Sequence, residues 1–134
     1  MPESLTFDSE VILSYLLGEK GGELVLDLLK KIQSGETEGC INVFNLTEIY
    51  YILYRVDPEL AEEKVRNLRL YGLNIVSVED NGLWREAAKT KANHSMSLAD
   101  AFAVATADCF NSTLVVGNDR EFEGLNVKLL RIRH

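Results

Sequence analysis

The sequence predicts an α/β fold, a three-layer α/β/α sandwich on a mostly parallel sheet of about five strands. Three observations predict it. Short β-type runs alternate with longer stretches of helical periodicity, the pattern of strands joined by helical crossovers. At 134 residues, with 46% hydrophobic and 26% charged residues, the chain has the size and composition of one globular domain spanning residues 1–134. Its two prolines fall at position 2 and in the Asp57-Pro58 turn, and no repeat or low-complexity tract marks an internal linker.

Leu5-Thr6-Phe7 reads as the first strand and residues 9–17 as the helix after it, which the glycines of 18–22 interrupt. Leu24, Val25, Leu28, Leu29 and Ile32 then recur on one helical face until Gly35. Cys40-Ile41-Asn42-Val43-Phe44 is the second strand. Asn45 is the expected cap of a helix carrying Ile49, Ile52, Leu53 and Val56. Asp57-Pro58 ends that helix and opens the next, because proline suits the first helical turn. This fourth helix runs through Leu60, Ala61, Val65, Leu68 and Tyr71 to Gly72, a natural residue past a helix end.

Residues 74–78 form the third strand and 80–92 a further helix with Leu83, Trp84, Ala87 and Ala88 on its apolar side. After the polar turn Asn93-His94-Ser95, Ser97 caps a helix in which Leu98, Ala101, Phe102, Ala105 and Cys109 line one side. Residues 113–116 and 127–130 complete the sheet.

The formal net charge of −7 argues at first against a partner as negative as a phosphate backbone. Cys40 and Cys109 lie in apolar runs without the spacing of a zinc site, and read as buried thiols of a reducing compartment. Met1-Pro2-Glu3-Ser4 carries no positive leader segment, and no apolar run approaches a membrane span, so the expected location is the cytoplasm with no membrane partner.

In doubly wound sheets ligands bind beyond the carboxyl ends of the strands. Four acids fall there: Asp8 after the first strand, Glu48 in the helix after the second, Asp100 in the first turn of its helix, and Asp119 after residues 113–116. Each has an ordinary structural explanation. Asn45-Leu46-Thr47-Glu48 and Ser97-Leu98-Ala99-Asp100 both have the form of a capping box, Asp8 suits a helix cap, and Asp119 suits a turn. Capping does not require four acids to share an edge. Two carboxylates ~4 Å apart repel by about 4 kcal/mol at an effective dielectric near 20, so such a cluster needs protons or bound cations. A histidine-free, all-oxygen set suits Mg²⁺ or Mn²⁺.

On four stretches the sequence resembles the PIN domains, and among them the small VapC-type ribonuclease toxins. They are Phe7-Asp8-Ser9, Asn45-Leu46-Thr47-Glu48, Ser97-Leu98-Ala99-Asp100 with its small and apolar continuation to Ala107, and Asn118-Asp119-Arg120-Glu121-Phe122. The resemblance covers essentially the whole chain. It implies that Asp8, Glu48, Asp100 and Asp119 hold one or two divalent ions, with Ser9 and Asn118 as polar neighbours. It also implies hydrolysis of RNA phosphodiester bonds, a homodimer, and an antitoxin partner whose basic side chain enters the acidic site.

Two positions depart from the family pattern. Glu10 replaces a small polar residue and is expected to be harmless on an outward face; Gly117 replaces a Ser or Thr that hydrogen-bonds within the acidic site, and is expected to loosen the metal's surroundings. Lys20, Arg85, Lys89, Lys91, His94 and Arg120 are candidates for gripping RNA, Arg120 foremost because it adjoins Asp119; an ion pair of Arg120 with Glu121 or Glu123 competes with that role. Tyr50, Tyr51 and Tyr54 point in different directions on one helix, so one or two are core and the remainder belong to an interface. Other readings stay open: a PIN-domain RNA-processing nuclease, or a catalytically weak RNA- or protein-binding scaffold. A Mg²⁺ phosphoryl-transfer domain fits poorly, because Lys128 lies inside the last strand instead of at its carboxyl end.

Overall fold

A computed structural model describes residues 3–133; Met1, Pro2 and His134 lie outside the described residues. The elements run β1 (Glu3–Phe7), α1 (Ser9–Leu16), α2 (Gly22–Gln33), β2 (Thr37–Asn42), α3 (Val43–Val56), α4 (Pro58–Leu70), β3 (Asn74–Val76), α5 (Leu83–Asn93), α6 (Leu98–Cys109), β4 (Thr113–Val116) and β5 (Leu129–Arg131), with 3₁₀ turns at Asp80–Gly82 and Arg120–Phe122. All five strands are parallel, in the order β3-β2-β1-β4-β5. Leu5 at the centre stands opposite Gly39 on one side and Thr113 on the other.

Strand residues alternate between two cores. Leu5, Phe7, Ile41 and Val115 join side chains of α1 to α4, whereas Cys40, Val76, Leu114 and Val116 join those of α5 and α6. This alternation, with helices over both faces of the sheet, makes the three layers. Phe7 and Phe122, both fully enclosed, each contribute roughly 1.5–3 kcal/mol by leaving water.

Several boundaries differ from the sequence expectation. α3 starts at Val43, and its cap is Asn42, whose Oδ1 accepts from the Phe44 N–H at 2.8 Å. Val43 and Phe44 have β-type side chains, yet the cap and the stacking of Phe44 on Phe102, with ring centroids 4.3 Å apart, decide for helix. Asn45 therefore lies inside the helix and caps nothing.

The helix expected over 80–92 is split, because Asn81 and Gly82 take left-handed conformations at φ 54° and 67° and α5 begins only at Leu83. Cys109 is exposed at the last turn of α6, and Leu98 is 44% exposed at its first, so neither belongs to the apolar face. Lys128 precedes β5 and is exposed; its carbonyl accepts from Leu114 N–H, which places it at the amino-end side of the strand. The expectations for α4 hold: Asp57 accepts from the Glu59 N–H, Pro58 takes the first turn, and Gly72 follows the end at φ 92°.

Candidate metal centre

β1 and β4 are neighbours that the chain leaves in opposite directions, through β2 to β3 on one side and to β5 on the other. Such a switch point opens a crevice at the carboxyl ends of its two strands. Asp8 sits there directly after β1, and its N–H donates to Val115 O at 3.1 Å, tying it to β4. Asp119 follows β4 by way of Gly117 and Asn118. α6 enters from the same edge, with Ser97 Oγ accepting from the Asp100 N–H at 3.1 Å and fixing the turn that carries Asp100. Glu48 lies in the second turn of α3 and is half-buried.

Asp8 is the anomaly of the site. It occupies the cap position of α1 but caps nothing, and both of its carboxylate oxygens are buried without a hydrogen-bond partner. A charge so enclosed is costly. Burial first, and then the negative Asp100, push its pKa well above the ordinary carboxylate value; the Ser9 amide offsets part of this, and Glu48 and Asp119 push further upward. The other three acids thus all act on Asp8 at one edge. Among the described residues, however, no three His, Cys, Asp or Glu side chains are gathered tightly enough to hold a metal ion as they stand.

Asn45 ties three of the acid-bearing segments together. Its Nδ2 donates to Ser9 Oγ at 3.1 Å and to Ala99 O at 2.9 Å, and Ser9 Oγ donates to Asn45 O at 3.3 Å. Ser9 adjoins Asp8, Ala99 adjoins Asp100, and Asn45 is three residues before Glu48. The Asn45 Oδ1 is buried without a partner. The signal available in the sequence was an amide in an otherwise apolar helical run, read there as a cap.

Glu121 was also missed as a site residue. Standing in the 3₁₀ turn after Asp119, it shares a hydrogen bond with Asp100, which with partial burial and the charges of Asp100 and Asp119 raises its pKa to about 7. Asn118 and Arg120 are exposed beside Asp119. The ion pair weighed for Arg120 is made elsewhere: Arg131 Nη2 lies 3.8 Å from Glu123, and Arg120 forms none among the described residues. Arg131 also donates through Nη1 to Gly117 O at 2.8 Å and Asp119 O at 3.0 Å, holding the turn from β5. Glu10 does not face outward alone; it is half-buried against Gly117 and ion-paired with Arg133.

The other basic candidates are all exposed. Lys89 pairs with Glu86 at 3.4 Å, and Arg85 lies over the Trp84 ring at 5.2 Å. Of the tyrosines, Tyr50 is half-buried and donates to Glu62 Oε1, while Tyr51 and Tyr54 are about half-exposed, at 46% and 51%.

Two buried, orphaned carboxylate oxygens under the charge of three further acids, with no histidine or thiol among the groups acting on them, fit a hard divalent cation. A doubly wound parallel sheet with acids at its switch point defines an α/β domain with an acidic edge at the carboxyl ends of its strands. The PIN domain family model matches residues 5–128, and the chain belongs to that family.

No curated protein matches the sequence. Among solved structures the fold is similar to a chain of VapBC2 from Rickettsia felis bound to a DNA fragment from its promoter, at 17% identity and a TM-score of 0.74 over 96% of this chain and 98% of that one. It is also similar to a chain of a toxin-antitoxin complex from Klebsiella pneumoniae, at 16% identity and TM-score 0.72 over 96% and 97%. DNA-bound VapBC from Salmonella typhimurium gives 16% and 0.72 over 98% and 99%. No described helix is long and apolar enough to cross a membrane.

Proposed function

We propose that this protein is a divalent-metal-dependent endoribonuclease, the toxin of a toxin–antitoxin pair. The observation that carries the reading is Asp8, an enclosed carboxylate with two unpartnered oxygens at the centre of a four-acid edge. Asp8, Glu48, Asp100 and Asp119 would hold Mg²⁺ or Mn²⁺. The ion supplies Lewis acidity, making water a nucleophile near neutral pH and neutralising charge on the phosphate oxygens.

The chain's own contribution is placement. Ser97 fixes the turn of Asp100, the Ser9–Asn45–Ala99 bonds set α1, α3 and α6 against one another, and Arg131 steadies the backbone at Asp119. Asp100 and Asp119 together raise the Glu121 pKa to about 7, so an added cation at this edge would favour its charged form. Asn118 and Arg120, exposed beside Asp119, would meet the RNA backbone.

The structural neighbours named as toxin-antitoxin complexes support a protein partner; the acidic edge would receive a basic side chain from it. Exposed Tyr51 and Tyr54 support a homodimer face; a monomer by size exclusion with light scattering at micromolar concentration counts against it.

The deciding experiment is cleavage of structured and unstructured RNA with Mg²⁺ or Mn²⁺, against an EDTA control. Cleavage that is lost in EDTA and in folded Asp100→Asn supports the reading; cleavage unaffected by either overturns it.

A further inference from the structure

We propose that Glu10 is a positioning residue of the metal centre: its side chain fills the space over Gly117 and, braced by Arg133, fixes the turn that carries Asp119. The proposal rests on the metal reading above. It begins from the question of why residue 117 is glycine. Gly117 is buried, and its backbone is not left-handed, so conformational freedom is not the reason. Space is the reason. A Cβ at 117 would collide with Glu10 Oε2, and would stand 2.9 Å from Arg133 Nη2 and 3.1 Å from Glu10 Cδ. Two atoms of that list belong to a carboxylate that is itself pinned, since Glu10 Oε1 pairs with Arg133 Nη2.

Arg133 is pinned in turn. Its Nη1 donates to Ser14 Oγ at 3.1 Å and to Lys20 O at 3.2 Å, so it cannot swing aside without breaking contacts to α1 and to the turn after it. Two residues earlier, at the end of β5, Arg131 grips the carbonyls of Gly117 and Asp119. One arginine thus holds the turn by its carbonyls, and the other presses Glu10 onto its α-carbon. Asp119 is two residues from that contact.

Glu10 and Gly117 are therefore two halves of one packing arrangement. A long acid at 10 requires no side chain at 117, and a hydroxyl residue at 117 would require a short residue at 10. The Arg133 pair also keeps Glu10, only two residues from Asp8, from adding another uncompensated negative charge to the site. This separates a spacer from a ligand. A spacer tolerates loss of charge but not of volume; a ligand tolerates neither.

The test is Mn²⁺ titration by calorimetry on the full EDTA-stripped chain, with melting in EDTA alongside. Glu10→Gln keeps the volume and the bond to Arg133, and should bind Mn²⁺ within about 3-fold of wild type. Glu10→Ala and Gly117→Ser should each weaken binding, roughly 10- to 100-fold, the range for loss of a residue that orients metal ligands. The double variant Glu10→Ala/Gly117→Ser should recover most of that loss.

In EDTA, Gly117→Ser alone should melt roughly 3–10 °C lower from overpacking, and the double variant should melt nearer wild type. Wild-type affinity in Glu10→Ala overturns the positioning role. So does a fall in Glu10→Gln as deep as in Glu10→Ala, which would make Glu10 a ligand, or additivity of the two singles in the double. If wild-type protein binds no Mn²⁺, the metal reading fails and positioning fails with it, whereas the EDTA melts decide the packing pair on their own: rescue by the double variant supports it, and equal losses overturn it.

Discussion

Replacing Asp8 by Asn should change stability in opposite directions with and without metal. The substitution keeps the shape and the capping ability of the side chain but removes a carboxylate whose two oxygens are buried without partners. Burial and Asp100 both disfavour its charge, so at neutral pH the metal-free wild-type protein carries the cost of holding that charge or of binding a proton to it. A buried group of this kind left unsatisfied costs about 1–3 kcal/mol, more when charged. Metal-free Asp8→Asn should therefore be the more stable by about that amount, a rise of roughly 3–10 °C in Tm for a chain of this size.

With metal the order reverses. A ligand at 100 times its Kd adds about 2.7 kcal/mol to a protein that binds it only when folded, and the Asn variant should gain little of this. The assay is thermal melting of both proteins in EDTA and in a Mn²⁺ series, with circular dichroism to verify the fold. If Asp8→Asn melts lower than wild type in EDTA, the buried carboxylate stabilises the metal-free fold and the reasoning fails. An Mn²⁺ shift equal to that of wild type removes Asp8 from the centre.

Stability of the metal-free protein should also depend on pH. Asp8 and Glu121 both have raised pKa values in the fold, Glu121 from 4.5 to about 7. Each binds its proton more tightly folded than unfolded, so the stabilisation is complete below the ordinary carboxylate values and is lost as pH rises through the raised ones. Metal-free Tm should fall between about pH 5 and pH 7.5, and the Mn²⁺-induced shift should grow over the same interval; a flat profile contradicts this. Asn45→Ala breaks bonds to Ser9 and Ala99 and leaves a buried carbonyl and hydroxyl short of a partner, which should cost about 1–3 kcal/mol in urea unfolding and weaken Mn²⁺ binding. Ser97→Ala removes the cap of α6 and should cost about 1 kcal/mol; a larger effect on Mn²⁺ affinity than on stability would make Ser97 part of the site.

The parallel sheet was legible because strand runs and helical faces have different periods, and the edge carrying the four acids followed from topology. What could not be read was set by contacts distant in sequence. Asn42 and Asn45 are equally good cap residues as types; only the packing of Phe44 on Phe102, from α6, selects Asn42. Asn45 then became free to bridge Ser9 and Ala99, a role no local pattern encodes. Arg133 escaped notice for the same reason, since its partners Glu10 and Ser14 lie over a hundred residues away. Glu121 carried an ordinary turn signal, and its bond to Asp100 depends on α6 and the 3₁₀ turn meeting at one edge.

The net charge of −7 first spoke against an anionic substrate. It counts Asp8, Glu48, Asp100 and Asp119 as free surface charges; setting those four of the 21 acids aside leaves −3. Asp8 is enclosed, and the hydrogen bond to Asp100 and the charges of Asp100 and Asp119 raise the Glu121 pKa beside them. Without a cation the edge is consequently short of positive charge and should repel a phosphate chain while attracting any compact cation that fits. A divalent ion relieves Asp8 and turns the same edge into a place where phosphate oxygens are welcome. A basic side chain from a protein partner relieves it as well, without supplying that chemistry. One electrostatic deficit thus accounts for both proposed occupants, and they should compete: saturating Mn²⁺ should weaken binding of an arginine-rich peptide to the wild-type chain and leave its binding to Asp8→Asn unchanged.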